Sequence, residues 1–266
     1  MSRTLRRIKT HKKAKETICG FYDYTNNSIL IHYSCESFYN IKDGRTPRIT
    51  SIAVRFLNSS QTISFSIHKI AELKKVEHAE ITDKYDELEK LMLEDFYEFV
   101  NEYKTFRWLH WNMRDINFGF EAIKHRALVL GVKTHDISDE NKYDFSRLLI
   151  EKYGKKYASH PRLQCIIKLN SISPKNWLDG EGEASAFDNK EYVKLHQSTL
   201  AKVNVMENIL KLTAEDGLKT KAKLVDIYGV SPQGIFELLK ENWLFNLMFF
   251  LLSSLLGVGI SKILEQ

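Results

Sequence analysis

The spacing of apolar residues divides the chain into stretches of period two and stretches of helical period. Ile29-Leu30-Ile31-His32-Tyr33 is a short run rich in β-branched and aromatic residues, and Ile49 to Leu57 and Ile63 to Ile67 alternate along the strand direction. Asn58-Ser59-Ser60-Gln61 between the last two reads as a hairpin loop. Three sequential strands follow from this pattern. Leu88, Leu91, Met92, Phe96, Phe99 and Val100 recur at helical spacing, which predicts a helix from Asp83, as N-cap, to Lys104. Arg107 to Trp111 reads as a fourth strand. Helices are predicted over 116–130, closed by Gly131, over Tyr143–Tyr153 and over Lys190–Leu212. Residues 171–189, with Pro174, Gly180 and Gly182, read as a loop whose acids Asp179, Glu181 and Glu183 are candidates to coordinate a cation, a solvated loop being the commoner arrangement. Residues 213–241 are expected to form a juxtamembrane helical hairpin, since the second helix has only Lys240 as a base and suits groove reading poorly.

The last stretch follows neither period. Asn242 to Ser261 carries no charge over 20 residues, about 30 Å of helix, which predicts a C-terminal transmembrane helix and a five-residue tail, 262–266. Trp243 stands where an interfacial anchor is expected. Asn246, Ser253, Gly257 and Ser261 share one helical face, and Ser253-x3-Gly257-x3-Ser261 is a small-residue pattern that lets membrane helices approach. That face predicts a homo-oligomer, with a narrow polar pore as a further reading. Lys219, Lys221, Lys223 and Lys240 precede the span and Lys262 follows it, which places the N-terminal part on the cytosolic side of the inner membrane in a single-pass topology.

Charge sharpens the other end. The chain is +5 in all, but residues 1–15 contain seven Lys and Arg and no acid, so the remainder is slightly acidic. Residues 1–20 are read as a basic arm for phosphates or for anionic headgroups of membrane lipid, and composition leaves both open. No apolar stretch of signal-peptide kind follows the arm. Cys19, Cys35 and Cys165 lack metal-ligand spacing.

The order of elements over 21–212, three strands and then helix, strand and helix, resembles the ribonuclease H-like fold. More closely it resembles the DEDDh exonucleases, in which four acids hold two metal ions and a His activates water. The Asp-x-Glu of that family's first strand is matched here by Ser34-Cys35-Glu36, with the Asp lost. His110 to Asp115 keeps the second motif's spacing, with Asn112 one place late. His196 keeps the third motif's His, but Ala201 stands where its Asp belongs.

The resemblance implies an α/β domain with a mixed sheet flanked by helices and a cleft for one nucleic acid strand. If active, it would use Glu36, Asp115 and His196, with Mg held by Glu36 and Asp115. Two carboxylates can hardly hold a metal pair, so no catalytic residue, metal or cofactor is assigned, and a degenerate, binding domain is expected. Aromatic and basic residues near the motifs, namely Arg107, Trp108, His110, Trp111, Asn112, Arg114 and Arg126, are the candidate ligand contacts, for single-stranded nucleic acid or a nucleotide signal. The overall arrangement resembles bacterial anti-phage membrane effectors, in which a ligand-bound cytosolic domain controls a channel or a membrane-disrupting bundle. An active membrane-tethered 3'-5' exonuclease and a tail-anchored scaffold are the alternatives.

Overall fold

Ile29, Ile31 and Tyr33 alternate with Leu30, and this alternation lets one central strand bury both of its faces. The computed structural model describes residues 3–37, 46–114, 117–240 and 245–254. Its elements are α1 (Arg3–Asp23), β1 (Ser28–Cys35), β2 (Ile49–Phe56), β3 (Thr62–Ser66), α2 (Ile67–Leu73), α3 (Tyr85–Tyr103), β4 (Arg107–His110), α4 (Phe120–Val129), β5 (Lys142–Asp144), α5 (Phe145–Tyr153), α6 (Arg162–Leu169), α7 (Gly180–Asp188), α8 (Tyr192–Ala214), α9 (Leu224–Tyr228) and α10 (Pro232–Lys240). A further helical segment covers 245–254.

The sheet has the order β3-β2-β1-β4-β5. β2 runs antiparallel to β1 and β3, and β4 lies parallel to β1 and β5. Ile31 is central, paired with Val54 on one side and His110 on the other. Ile29, Ile31, Tyr33, Val54 and Trp108 pack with Leu88, Met92 and Phe96 of α3. On the opposite face Leu30 and Leu109 meet Ile18 and Phe21 of α1, Phe145 and Leu149 of α5, and Met206 and Ile209 of α8. A strand covered on both faces reads as a near-continuous apolar run, which is what its sequence shows.

The strands and long helices fall close to their predicted places, and the differences have local causes. The helix expected from Asp83 starts at Tyr85, and no side chain caps it. The helix expected from residue 116 starts at Phe120, and Leu130-Gly131 ends it with Gly131 at φ 73°. Lys142–Asp144 is a short fifth strand, and Asp144 then caps α5 by accepting from the Arg147 N–H at 3.3 Å. The loop expected over 171–189 contains α7, capped by Asp179, whose carboxylate accepts from the Gly182 N–H at 2.8 Å. Two glycines in its first turn hide this helix from composition.

The largest difference concerns the basic N-terminal segment. It forms α1, in which Ile8, His11, Ala14, Ile18 and Phe21 are buried at spacings of three and four. That stripe is narrow, and the Lys and Arg between its members mask it in any average over the segment. α1 packs against α5, α8, α9 and α10. It is therefore part of the core of the domain as well as a carrier of charge.

At the other end, α9 and α10 form the expected helical pair. Among the described residues no helix is long and apolar enough to cross a membrane. The described part of the expected span, 245–254, is about 15 Å of helix. Trp243, Gly257 and Ser261 lie outside the described residues. Asn246 donates to the Lys240 carbonyl at 2.6 Å, and Ser253 donates to the Phe250 carbonyl at 2.9 Å. Both polar side chains therefore bond within their own chain.

Candidate functional site

β1 and β2 turn small polar residues toward α8 where β1 ends. Ser34 Oγ lies 2.7 Å and Ser51 Oγ 2.6 Å from Thr199 Oγ1, and all three residues are buried. Thr199 also donates to the Leu195 carbonyl one turn back at 3.0 Å. Glu183 of α7 joins the network, with Oε1 accepting from Ser34 and Ser198, each at 2.9 Å. Its Oε2 lies 2.6 Å from Lys202 Nζ, and that ammonium is also 5.6 Å from the Trp177 ring. Buried hydroxyls and charges persist only when paired in this way.

Ser34, Glu183 and Lys202 of this network line a cavity of about 500 Å³. His32, Tyr33, Cys35 and Glu36 line it from the end of β1, Gly180, Glu181 and Ala184 from α7, and Phe118 from the segment before α4. Phe118 stacks on Tyr33 at 4.6 Å between ring centroids, and Tyr33 Oη accepts from the Gly119 N–H at 3.0 Å. Burial, reinforced by the Lys202 charge, holds the His32 imidazole well below its ordinary pKa. Burial also pushes the Cys35 thiol up, so Cys35 is no thiolate nucleophile at neutral pH.

The structure separates the residues that the motifs suggested. Glu36 is at the cavity and accepts from the Arg48 N–H at 3.3 Å. Asp115 lies outside the described residues. His196 is on the β3 side of α8, with Nε2 2.9 Å from Ser64 Oγ and its ring 4.9 Å from His68. Ala201 is buried in α8, and the α8 residue opposite Ser34 is Thr199. Hydroxyls and an ammonium therefore stand around the end of β1, with Glu36, Glu181 and Glu183 as the nearby carboxylates. Among the described residues no group of three or more His, Cys, Asp and Glu side chains could hold a metal ion.

The expected cluster of ligand contacts is mostly structural. Arg107 donates to the Gly20 and Tyr24 carbonyls at 2.7 and 2.9 Å and lies over Phe21, clamping the end of α1. Trp108 is fully buried and donates to the Tyr103 carbonyl at 3.1 Å. Trp111 packs edge-on against Phe145. Asn112 turns the chain at φ 54°, its N–H donating to Asp144 Oδ1 at 3.2 Å. Arg126 is buried in an ion pair with Glu89 at 2.6 Å. Trp108 and Arg126 are thus corrected from ligand contacts to a packing and an ion-pair position, while Arg107 and Trp111 are half-buried and Asn112 is exposed. His110 and Arg114 line a second cavity of about 410 Å³, where Arg114 pairs with Asp144.

Sequence reasoning passed over Lys202 and read Glu183 as an acid of a loop, and the structure pairs the two at the cavity. A signal existed for Lys202, which follows Leu195 and Thr199 and precedes Met206 and Ile209 on the apolar stripe of α8. For Glu183 the signal was Asp179 ahead of an acidic first turn.

Two further histidines set a pH dependence. Burial lowers His110 to about 4 against the pull of Asp144, and burial with the neighbouring His68 lowers His196 to about 4. Both are neutral when folded and bind protons more readily when unfolded. Their stabilisation is complete above the unfolded value near 6.5 and is lost as pH falls toward 4, at no more than about 1.4 kcal/mol per pH unit for each. Glu89, raised by burial, has the opposite sign. Denaturation midpoints between pH 4 and 7 are expected to fall less steeply in His196→Gln than in the parent chain, and parallel profiles would remove His196 from this account.

No protein-family model matches this sequence, and neither a curated protein nor a solved structure matches it. The class is defined by fold and site alone, as an α/β domain whose mixed five-stranded sheet carries a cavity, mostly apolar in its lining, at the end of its central strand.

Proposed function

We propose that this chain is a membrane-anchored binding effector whose domain is a degenerate relative of the ribonuclease H-like exonucleases. Its cavity takes a nucleotide or the end of a single nucleic acid strand, and the C-terminal membrane helix self-associates in response. The observation that carries this reading is the network of Ser34, Thr199, Glu183 and Lys202 at the end of β1. A two-metal site needs carboxylates converging on a pair of cations. The Lys202 ammonium opposes a divalent cation there and is the charged donor that the cavity offers a phosphate, with Glu36, Glu181 and Glu183 in the same lining. The cavity of about 500 Å³ is within the range of small-molecule sites and far too small for a duplex.

The sheet supports the same reading. Three antiparallel strands in sequence, followed after a helix by a strand parallel to the first, are what the resemblance implies. The exposed apolar side chains of 245–254, including Leu247, Phe250 and Leu251, favour an apolar environment for the start of the expected span. Ligand acts on the membrane helices only if it binds their alternative packings with different affinity.

Labelled single-stranded DNA incubated with the full-length protein in detergent, with Mg²⁺ or Mn²⁺, is expected to be retained at full length. Metal-dependent shortening that disappears in Glu36→Ala would replace the binding reading with an active exonuclease.

A further inference from the structure

We infer that α1 and the end of α5 form a headgroup-binding face that seats the domain on an anionic bilayer surface. The inference rests on the membrane-anchor reading above and adds the lipid class and the residues. Arg6 and Arg7 of α1 and Lys155 and Lys156 beyond α5 line one groove of about 640 Å³. Gly154 makes this approach possible. It has φ 87°, and a Cβ there would lie 3.0 Å from the Asp226 carbonyl and 3.7 Å from the Arg7 guanidinium.

The charges in the groove do not cancel. Lys152, also in its wall, is neutralised by Asp216 at 2.7 Å. Glu151 is paired with Arg147 at 3.0 Å, and Asp226, which accepts from the neutral Lys223 N–H, keeps its charge, so Arg6, Arg7, Lys155 and Lys156 stand against one carboxylate. Lys9, Lys12 and Lys13 extend the exposed basic surface along α1. The buried stripe of α1 fixes this helix, so its charges are held in place.

The occupant is set by what adjoins the groove. Asp226 and Ile227 of α9 form part of its wall, α10 packs against α1, and α10 leads to the exposed apolar segment 245–254. A fixed basic face whose helix α1 packs with α10, to whose last carbonyl Asn246 of the exposed apolar segment is bonded, complements phosphate headgroups above acyl chains. A free strand or free phosphate would account for the charges but leaves the apolar neighbour without a partner.

The test is hydrogen exchange on the full-length chain in nanodiscs of phosphatidylcholine alone or with phosphatidylglycerol. Each basic residue near an anionic surface contributes roughly fivefold in binding, so the groove's four cations are expected to slow exchange over α1 and 150–157 by at least about tenfold in the anionic discs. Exchange in α3 is expected to be unchanged. Arg6→Glu with Arg7→Glu, and separately Lys155→Glu with Lys156→Glu, are expected to remove the difference, and two pairs on separate segments guard against loss of fold in either. Equal exchange in both discs would overturn the inference, as would the same protection from inorganic phosphate or a single-stranded oligonucleotide in neutral discs. Entry into neutral discs reads the anchor alone, and the difference between discs reads the basic face alone.

Discussion

Arg126→Ala is expected to destabilise the domain by about 3–5 kcal/mol, because it strips one partner from a buried ion pair. Glu89 is fully buried and accepts from Arg126 Nε at 3.0 Å, from its Nη2 at 2.6 Å and from the Ile49 N–H at 2.7 Å. Arg126 also reaches Asp86 at 2.6 Å, so one guanidinium joins α4 to α3 and, through Glu89, to the start of β2. Removing it leaves a carboxylate with one donor in an apolar setting, and burial already raises the Glu89 pKa with Arg126 present. At 2–4 °C per kcal/mol for a domain of this size, the melting temperature should fall by roughly 10 °C. Glu89→Gln combined with Arg126→Met should recover part of the loss, since the pair then leaves no unmatched charge. A normal melting temperature with weakened ligand binding would return Arg126 to the role that its position in the sequence suggested.

Lys202→Met is expected to weaken binding of a single strand or nucleotide by at least tenfold while the protein stays folded. A hydrogen bond to a charged group is worth about 1.5–3 kcal/mol, which corresponds to roughly 10- to 150-fold in affinity. Met keeps most of the side chain's volume against Trp177, and Glu183 keeps its two hydroxyl donors, Ser34 and Ser198. Fluorescence anisotropy with a labelled oligonucleotide measures the change. Lys202→Met with Glu183→Gln should be more stable than Lys202→Met alone, because the second change removes the charge left without its ammonium. Unchanged affinity in Lys202→Met would remove this cavity as the binding site.

The strands and long helices were legible because their signal is local. Ile52, Val54 and Phe56 recur at every second position and join one core cluster, in which the apolar residues of α3 also pack. Short elements were less legible: β5 is three residues long, and α7 begins with two glycines among acids. The candidate site was half legible. The resemblance drawn through Ser34 and Ala201 pointed to the end of β1, but the register of α8 could not be read from a His-to-Ala spacing, and it is Thr199 that faces Ser34.

The basic N-terminal segment shows the same division. Sequence alone determined the charge of residues 1–15, the uncharged run 242–261 and the strand order along the chain, since each is a property of residue types at fixed spacing. Only the tertiary structure decided that α1 is built into the core, that Arg126 pairs with Glu89, and that Glu183 and Lys202 meet across α7 and α8. Those outcomes depend on which helix faces come together, and a pairing between residues 19 or 37 positions apart leaves no periodic trace in the chain.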